Sequence, residues 1–413
     1  MRRALSIMAS SASGRPYDAI IVGARCAGAP CAMLLAKQGA RVLLLDRDRF
    51  PSNMPLSTHL MHPLAVARLI KWGLLDEIAA RSVAVTRWRL ALHGVTMVGP
   101  PPPVDGNALS FAPRREFLDG VLERAAVRAG AELRETSTVT DLVFDGDQVV
   151  GIEARGPNGR KFTEHARIVI GADGPGSIVA HRTRARESHV VPLVQSNLWS
   201  YFTGITLDEV QLHVQPKMGA FAFPSSDGAV LIAANLMYDE FIAAKADRLA
   251  AYRARLRQVA PALDELVGRA TPVDRLYAGC TRAFVRQAAG PGWALIGDAG
   301  IKKDPVTAQG IPSAFLTAEW LAEALGAVFS GRRAMADALS DYGAQRDSFM
   351  MPFYDFTVRL AEFNPPSDTL ARLYRAIAAS PAETTRLFGA VALTDNPDEV
   401  FSTANVERLI GHA

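Results

Sequence analysis

The sequence predicts an α/β fold: a Rossmann-like dinucleotide-binding domain, an inserted β-sheet substrate domain and a helical C-terminal region. Three observations predict it. An apolar strand runs into glycines and a helix at Gly23-Ala24-Arg25-Cys26-Ala27-Gly28. A second buried strand, Arg167 to Ile170, feeds Gly171-Ala172-Asp173-Gly174. A third, Trp293 to Ile296, feeds Gly297-Asp298-Ala299-Gly300, and a long helical pattern follows Gly310.

Residues 1–16, rich in serine, alanine and arginine, read as a mobile leader. Arg2 and Arg3 suggest a targeting segment, but no apolar stretch of roughly 7–15 residues follows them. Asp18 to Val22 is a short apolar run, as a buried parallel strand should be. Gly28 to Gln38 reads as a helix apolar nearly all round, closed by Gly39. Arg41 to Leu45 is a second buried strand, ended by Asp46. The acid thus falls about 20 residues past the glycines, the dinucleotide-binding spacing. Gly23 permits the tight turn, and Gly28 lets the helix pack close to the strand. The helix amides, with Ala24 in the turn, favour a pyrophosphate. Arg25 stands where the usual middle glycine would be, and its guanidinium suits the same phosphates. Asp46 can accept from ribose hydroxyls, and its neighbour Arg47 joins the candidate cofactor contacts.

His62-Pro63 opens a predicted helix through Trp72, ended at Gly73. Short strands and the proline-rich turn Pro100 to Pro103 follow. Glu116 to Ala129 reads as a helix, and Val139–Phe144 with Val149–Ala154 as a hairpin around Asp145-Gly146. Segments Leu198–Thr206, Gln211–Val214, Ala220–Phe223 and Val230–Ala234 read as sheet, and 239–258 and 261–268 as helices. The dinucleotide-binding domain is therefore expected over residues 17–190, with a strand excursion at about 84–112, and again over 285–330. The sheet-rich substrate domain is expected over 191–284 and the helical region over 331–413.

The 413-residue length and 49% hydrophobic content support a large core. A net charge of +3, without a basic block carrying interleaved aromatics, speaks against nucleic acid. Arg182, Arg184 and Arg186 read as a solvated loop first and a phosphate contact second. Cys26, Cys31 and Cys280 fit a reducing cytoplasm, with no metal-binding spacing. No run of about 18 apolar residues suggests a membrane span.

The three motifs in this order resemble the p-hydroxybenzoate hydroxylase family, the FAD-dependent group A aromatic monooxygenases. The run Gly297 to Ile311 carries the resemblance furthest. It implies FAD, NAD(P)H as electron donor, O2 addition at flavin C(4a), and oxygen transfer from the flavin hydroperoxide to a small aromatic or polyketide-like substrate. It implies that Asp298 binds a ribityl hydroxyl and that Pro305 sits beside the isoalloxazine. Gly310 and Ile311 would offer amides to the flavin pyrimidine oxygen. Asp173 falls in a fingerprint tied to FAD and NADPH, Arg115 would reach FAD, and the Val139 backbone would meet adenine.

The chain departs from the family at Ile301, usually histidine, at Pro312, usually asparagine, and at Ala180, usually arginine. Trp199, Tyr201, Phe202, Phe221 and Phe223 are candidate substrate-pocket residues. His59 and His62 are the acid/base candidates, with Pro305 a further catalytic-site candidate. A prenyl reductase is the first rival, from the partial likeness of Gly219 to Pro224. A flavin halogenase and a flavin-bound protein without turnover are the others. The oligomeric state stays open.

Overall fold

The computed structural model describes residues 15–54 and 57–411; all of the expected leader except Arg15 and Pro16 lies outside the described residues. Burial on both faces explains the first sheet. Ala19, Ile20 and Ile21 of the strand Tyr17–Val22 are fully enclosed. This strand pairs in parallel with Val42–Leu45 on one side and Lys161–Gly171 on the other. Trp293–Leu295 pairs with Lys161–Gly171, also in parallel, so all three glycine motifs leave the same C-terminal end of the sheet's strands.

Helices Gly28–Lys37, Arg115–Arg128 and Gly310–Phe329 share one apolar cluster on that sheet. Gly39 ends the first at φ +85° and Gly73 ends the helix Pro63–Trp72 at φ +74°, the left-handed conformation that terminates helices. The hairpin Thr138–Asp145 and Gln148–Arg155 covers the opposite face with Leu142, Val149 and Ile152.

The second sheet runs in the order Thr271–Pro272, Gln195–Thr203, Val230–Met237, Met218–Pro224, Val210–Gln215, Trp88–Leu92, Val95–Gly99. Its last two strands are the early excursion. Trp88–Leu92 pairs in parallel with Val210–Gln215, a contact between distant segments that local patterning does not announce. Alternation gives the sheet two apolar faces. Leu198, Phe202, Ala220 and Ile232 pack under Arg248–Val259 and Pro261–Arg269. Trp199, Tyr201, Phe223 and Leu231 face the other way, in a cluster completed by the C-terminal helices Asp368–Ala378 and Pro381–Ala392.

Two expected elements differ. The strand read as Leu198–Thr206 spans Gln195–Thr203, because Gln195 and Asn197 find partners inside. The helix read over 239–258 is two, Tyr238–Ala243 and Arg248–Val259. Asp247 breaks it by accepting from Ala250 N at 2.9 Å, a side-chain cap that starts a new helix. A three-stranded sheet of Glu187–Val191, Ala283–Arg286 and Ile301–Lys302 was not foreseen. Among the described residues no helix is long and apolar enough to cross a membrane.

Candidate active site

The three motifs converge at the C-terminal ends of the first sheet's strands, and glycine is demanded by contact. A Cβ on Gly28 would stand 1.8 Å from Gly23 O, and one on Gly23 would stand 2.6 Å from Ala172 O. A Cβ on Gly297 would stand 2.9 Å from Ala27 Cβ. Helix Gly28–Lys37 begins without a side-chain cap, and its Gly28 amide is the one left for an anion, since Ala29 N bonds Arg25 O at 3.0 Å and Pro30 has no N–H. Asp46 closes the strand Val42–Leu45 and accepts from Ala24 N at 2.8 Å and Asp48 N at 2.9 Å. Arg47 is exposed beside it.

Arg25 is held by protein. Its guanidinium pairs with Asp119 at 2.9 Å and Asp48 at 2.8 Å and also donates to Ser52. Arg115 is buried and reaches the same fully enclosed Asp119 through two bonds, of 3.0 and 2.9 Å. One carboxylate thus fixes two guanidinium groups beside the glycine turn. Val139 lies in the hairpin, in the cluster with Val22 and Leu45. Asp173 accepts from Ile178 N at 2.7 Å, while its other oxygen is buried without a partner.

Asp298 is about a third exposed and pairs with Lys302 at 2.6 Å. Downstream, Pro305–Thr307 forms one tight turn closed by Ala308 at φ +51°. Helix Gly310–Phe329 then starts without a side-chain cap, with Gly310 exposed and no atom within 4 Å of a Cβ placed there. Gln309 instead donates to Val391 O at 3.0 Å, tying this helix start to the C-terminal helices. The carboxylates of Asp46 and Asp298 as acceptors, with two uncapped helix starts and the buried Arg115 as donors, form a set that suits FAD.

Beyond this cradle lies a narrow cavity of about 40 Å³ between the second sheet and the Pro305 turn. His62, Trp88, Phe221, Phe223, Pro305 and Val391 are among its walls. Trp199 and Tyr201 share the apolar cluster but stand back from the cavity, Trp199 stacked on Tyr277 at 5.8 Å. Phe202 belongs to the opposite face. Trp88 and Val391 were not expected here; their sequence context gives no sign of which distant face they meet.

Both candidate histidines are buried. His62 Nε2 bonds Thr307 O at 2.8 Å, and burial lowers its pKa to about 4 despite that bond. His59 Nε2 bonds the Tyr201 hydroxyl. Burial, with the charges of Arg115 and Arg114, holds His59 well below the ordinary imidazole range. Each has an Nδ1 without a partner. Arg114 lies 4.1 Å over the Tyr201 ring and pairs with Asp274 at 2.6 Å, so the His59–Tyr201 pair connects to a partly exposed ion pair.

Sequence reasoning passed over Lys303 and Asp304. Both are buried between Asp298 and Pro305. Asp304 accepts from Gln195 Nε2 at 2.7 Å and from Val306 N at 2.9 Å, and burial pushes its pKa up to about 6. Two charged residues inside a run that must thread the core were the available signal.

Comparison with known proteins fits this geometry. The chain is 24% identical over 341 residues to digeranylgeranylglycerophospholipid reductase from Methanocella arvoryzae, covering 80% of this chain and 82% of that one. It is 26% identical over 312 residues to 6-methylpretetramide 4-monooxygenase from Streptomyces rimosus, covering 73% of each. The flavin-dependent brominase Bmp2 shares the fold at a TM-score of 0.81 and 17% identity, over 95% of this chain and 98% of that one. Residues 16–357 match the FAD binding domain family, and the chain therefore belongs to that family of FAD-dependent oxidoreductases.

Proposed function

We propose that the protein is an FAD-dependent monooxygenase that inserts one oxygen atom into a small aromatic or polyketide-like substrate, using NAD(P)H and O2. The observation that carries this reading is the apolar cavity bounded by Phe221, Phe223 and Trp88 on one side and the Pro305 turn on the other. An oxygenating site must hold an apolar substrate against the cofactor and keep water out. The likeness to 6-methylpretetramide 4-monooxygenase supports the same substrate class.

FAD, when bound and reduced, supplies the activated oxygen. The chain supplies position and charge. The Gly28 amide faces the pyrophosphate end, and Arg115, fixed by Asp119, is the guanidinium that reaches towards the cofactor. Asp46 takes the ribose and Asp298 a ribityl hydroxyl. The Gly310 and Ile311 amides stabilise negative charge on the ring system. His62, a wall of the cavity kept neutral by burial and with an unpartnered Nδ1, is the group placed to hold or pass a proton there. The site works in the cytoplasm, where NAD(P)H is available.

Labelled O2 tests the reading. Purified holoenzyme is supplied with NADPH or NADH, and aromatic polyketides are screened for consumption of reductant. One heavy oxygen in the product is expected. Turnover that persists without oxygen and adds only two hydrogens would replace the monooxygenase with a double-bond reductase. The 24% identity to the archaeal reductase favours that second reading.

A further inference from the structure

Arg25 occupies the place of the middle glycine in the phosphate turn, and its side chain joins three segments far apart in sequence. Its Nη1 donates to Asp119 Oδ2 at 2.9 Å, on helix Arg115–Arg128. Its Nη2 donates to Asp48 Oδ2 and to Ser52 Oγ, both at 2.8 Å. A longer bond runs from Nη1 to Ser52 O at 3.4 Å, and the guanidinium carbon lies 5.6 Å from the centre of the Phe50 ring. Each terminal nitrogen carries two hydrogens and makes two bonds, so all four are spent on protein. A phosphate could reach Nη1 or Nη2 only by displacing one of these partners.

The segment so held begins beside the acid of the cradle. Asp48 N donates to Asp46 Oδ1 at 2.9 Å, and Asp46 Oδ2 accepts from Ala24 N at 2.8 Å, next to Arg25 itself. The turn, the ribose acid and the segment therefore close into one bonded ring. On its far side the segment is fastened by Phe50 N to Glu135 at 2.6 Å and by Thr136 N to Asp48 O at 3.1 Å. Asp48 is half exposed, and a pair with so wet a carboxylate adds little stability by itself. What the arginine gains is position. Asp119, fully enclosed, anchors the guanidinium to a rigid helix, and Arg115 keeps that carboxylate paired even if Arg25 is lost.

We propose that Arg25 is a positioning residue for the cofactor. It clasps residues 48–52 against the glycine turn, so that FAD held at the Gly28 amide and Asp46 leaves only when the clasp opens. The arginine thus acts on how long FAD stays, through the segment, and not as a ligand of its phosphates.

The test is release of FAD from the loaded protein, followed as recovery of flavin fluorescence after dilution, with association followed as quenching on mixing with apo-protein. Arg25→Met removes the guanidinium. Asp48→Ala combined with Ser52→Ala removes the clasped arm and keeps the guanidinium. Each is expected to speed release by about tenfold, the scale of one hydrogen bond to a charged group. Association should change by less than about threefold, because the clasp closes behind the cofactor. Joined in one protein, the three substitutions should release FAD no faster than Arg25→Met alone, since both sets break the same contact. Independent effects, multiplying to about 100-fold, overturn the proposal. So does fast release in Arg25→Met with wild-type release in the arm variant, which would make Arg25 a direct phosphate ligand. Wild-type release in Arg25→Met, with apo-protein less stable in urea, reduces the arginine to a structural ion pair and overturns it as well. The arm variant leaves Asp119 with both its arginines, so it decides the matter even where Arg25→Met does not fold. The proposal rests on FAD and not on oxygen insertion, so this experiment and the labelled-oxygen experiment fail separately.

Discussion

Gly28→Ala is a single-methyl test of the cofactor cradle. The added Cβ would lie 1.8 Å from Gly23 O and 3.2 Å from Ala172 Cβ. The first of these is a backbone oxygen, so no side-chain rotation can relieve the contact. Helix Gly28–Lys37 must retreat from the Gly23 turn by more than 1 Å to bring that contact from 1.8 Å past 3.0 Å, and overpacking of this kind costs about 1–3 kcal/mol. The larger effect falls on binding, because the retreating residue carries the helix amide offered to the phosphate. A misplacement of about 1 Å in a positioning group costs about 100-fold, which is about 2.8 kcal/mol at 1.4 kcal/mol per tenfold. Apo-protein is prepared, FAD is titrated in, and quenching of flavin fluorescence gives Kd. Gly156→Ala is the matched control, since a Cβ there meets the Phe162 ring at an ordinary 3.5 Å and lies outside the cradle. A Gly28→Ala protein that binds FAD within threefold of wild type would refute the assignment of this turn as the phosphate cradle.

Three further outcomes are expected. Asp298→Ala should deplete bound FAD while urea unfolding of the apo-protein stays near wild type, because the carboxylate is about a third exposed and its ion pair among the described residues is the local one with Lys302. Asp119→Ala should destabilise the protein by about 3–5 kcal/mol in urea unfolding, since it strips the buried Arg115 of its partner and weakens the hold on Arg25. Unfolding of apo-protein should become harder from pH 7 to 10: Lys303 is lowered to about 7 in the fold, so the unfolded chain binds the extra proton over that range, and stability rises with pH. In Lys303→Met that rise should flatten, with the larger gain in stability at pH 7; equal slopes in the two proteins would show Lys303 to be solvated.

Much of the cradle was legible because it is local. Gly23, Gly28 and Asp46 lie within one strand–helix–strand unit, and the turn, the helix start and the acid at the strand end all follow from short-range sterics and spacing. Asp298 and the uncapped start at Gly310 follow from a second such unit. Where a side chain reaches across the molecule, the sequence was silent. Arg25 read as a phosphate ligand, yet its reach to Asp119 depends on how helix Arg115–Arg128 docks. Trp88 enters the cavity because its strand joins Val210–Gln215, and Val391 because the C-terminal helices fold back over the same face. Lys303 looked like any lysine in a polar triplet until packing left it enclosed beside Met350. Backbone conformation and periodicity are set by neighbours along the chain, so the sequence by itself determined the glycine turns and the sheet that carries them. Which faces meet, and which charges are left without partners inside, is set by long-range packing, and only the tertiary structure decided those.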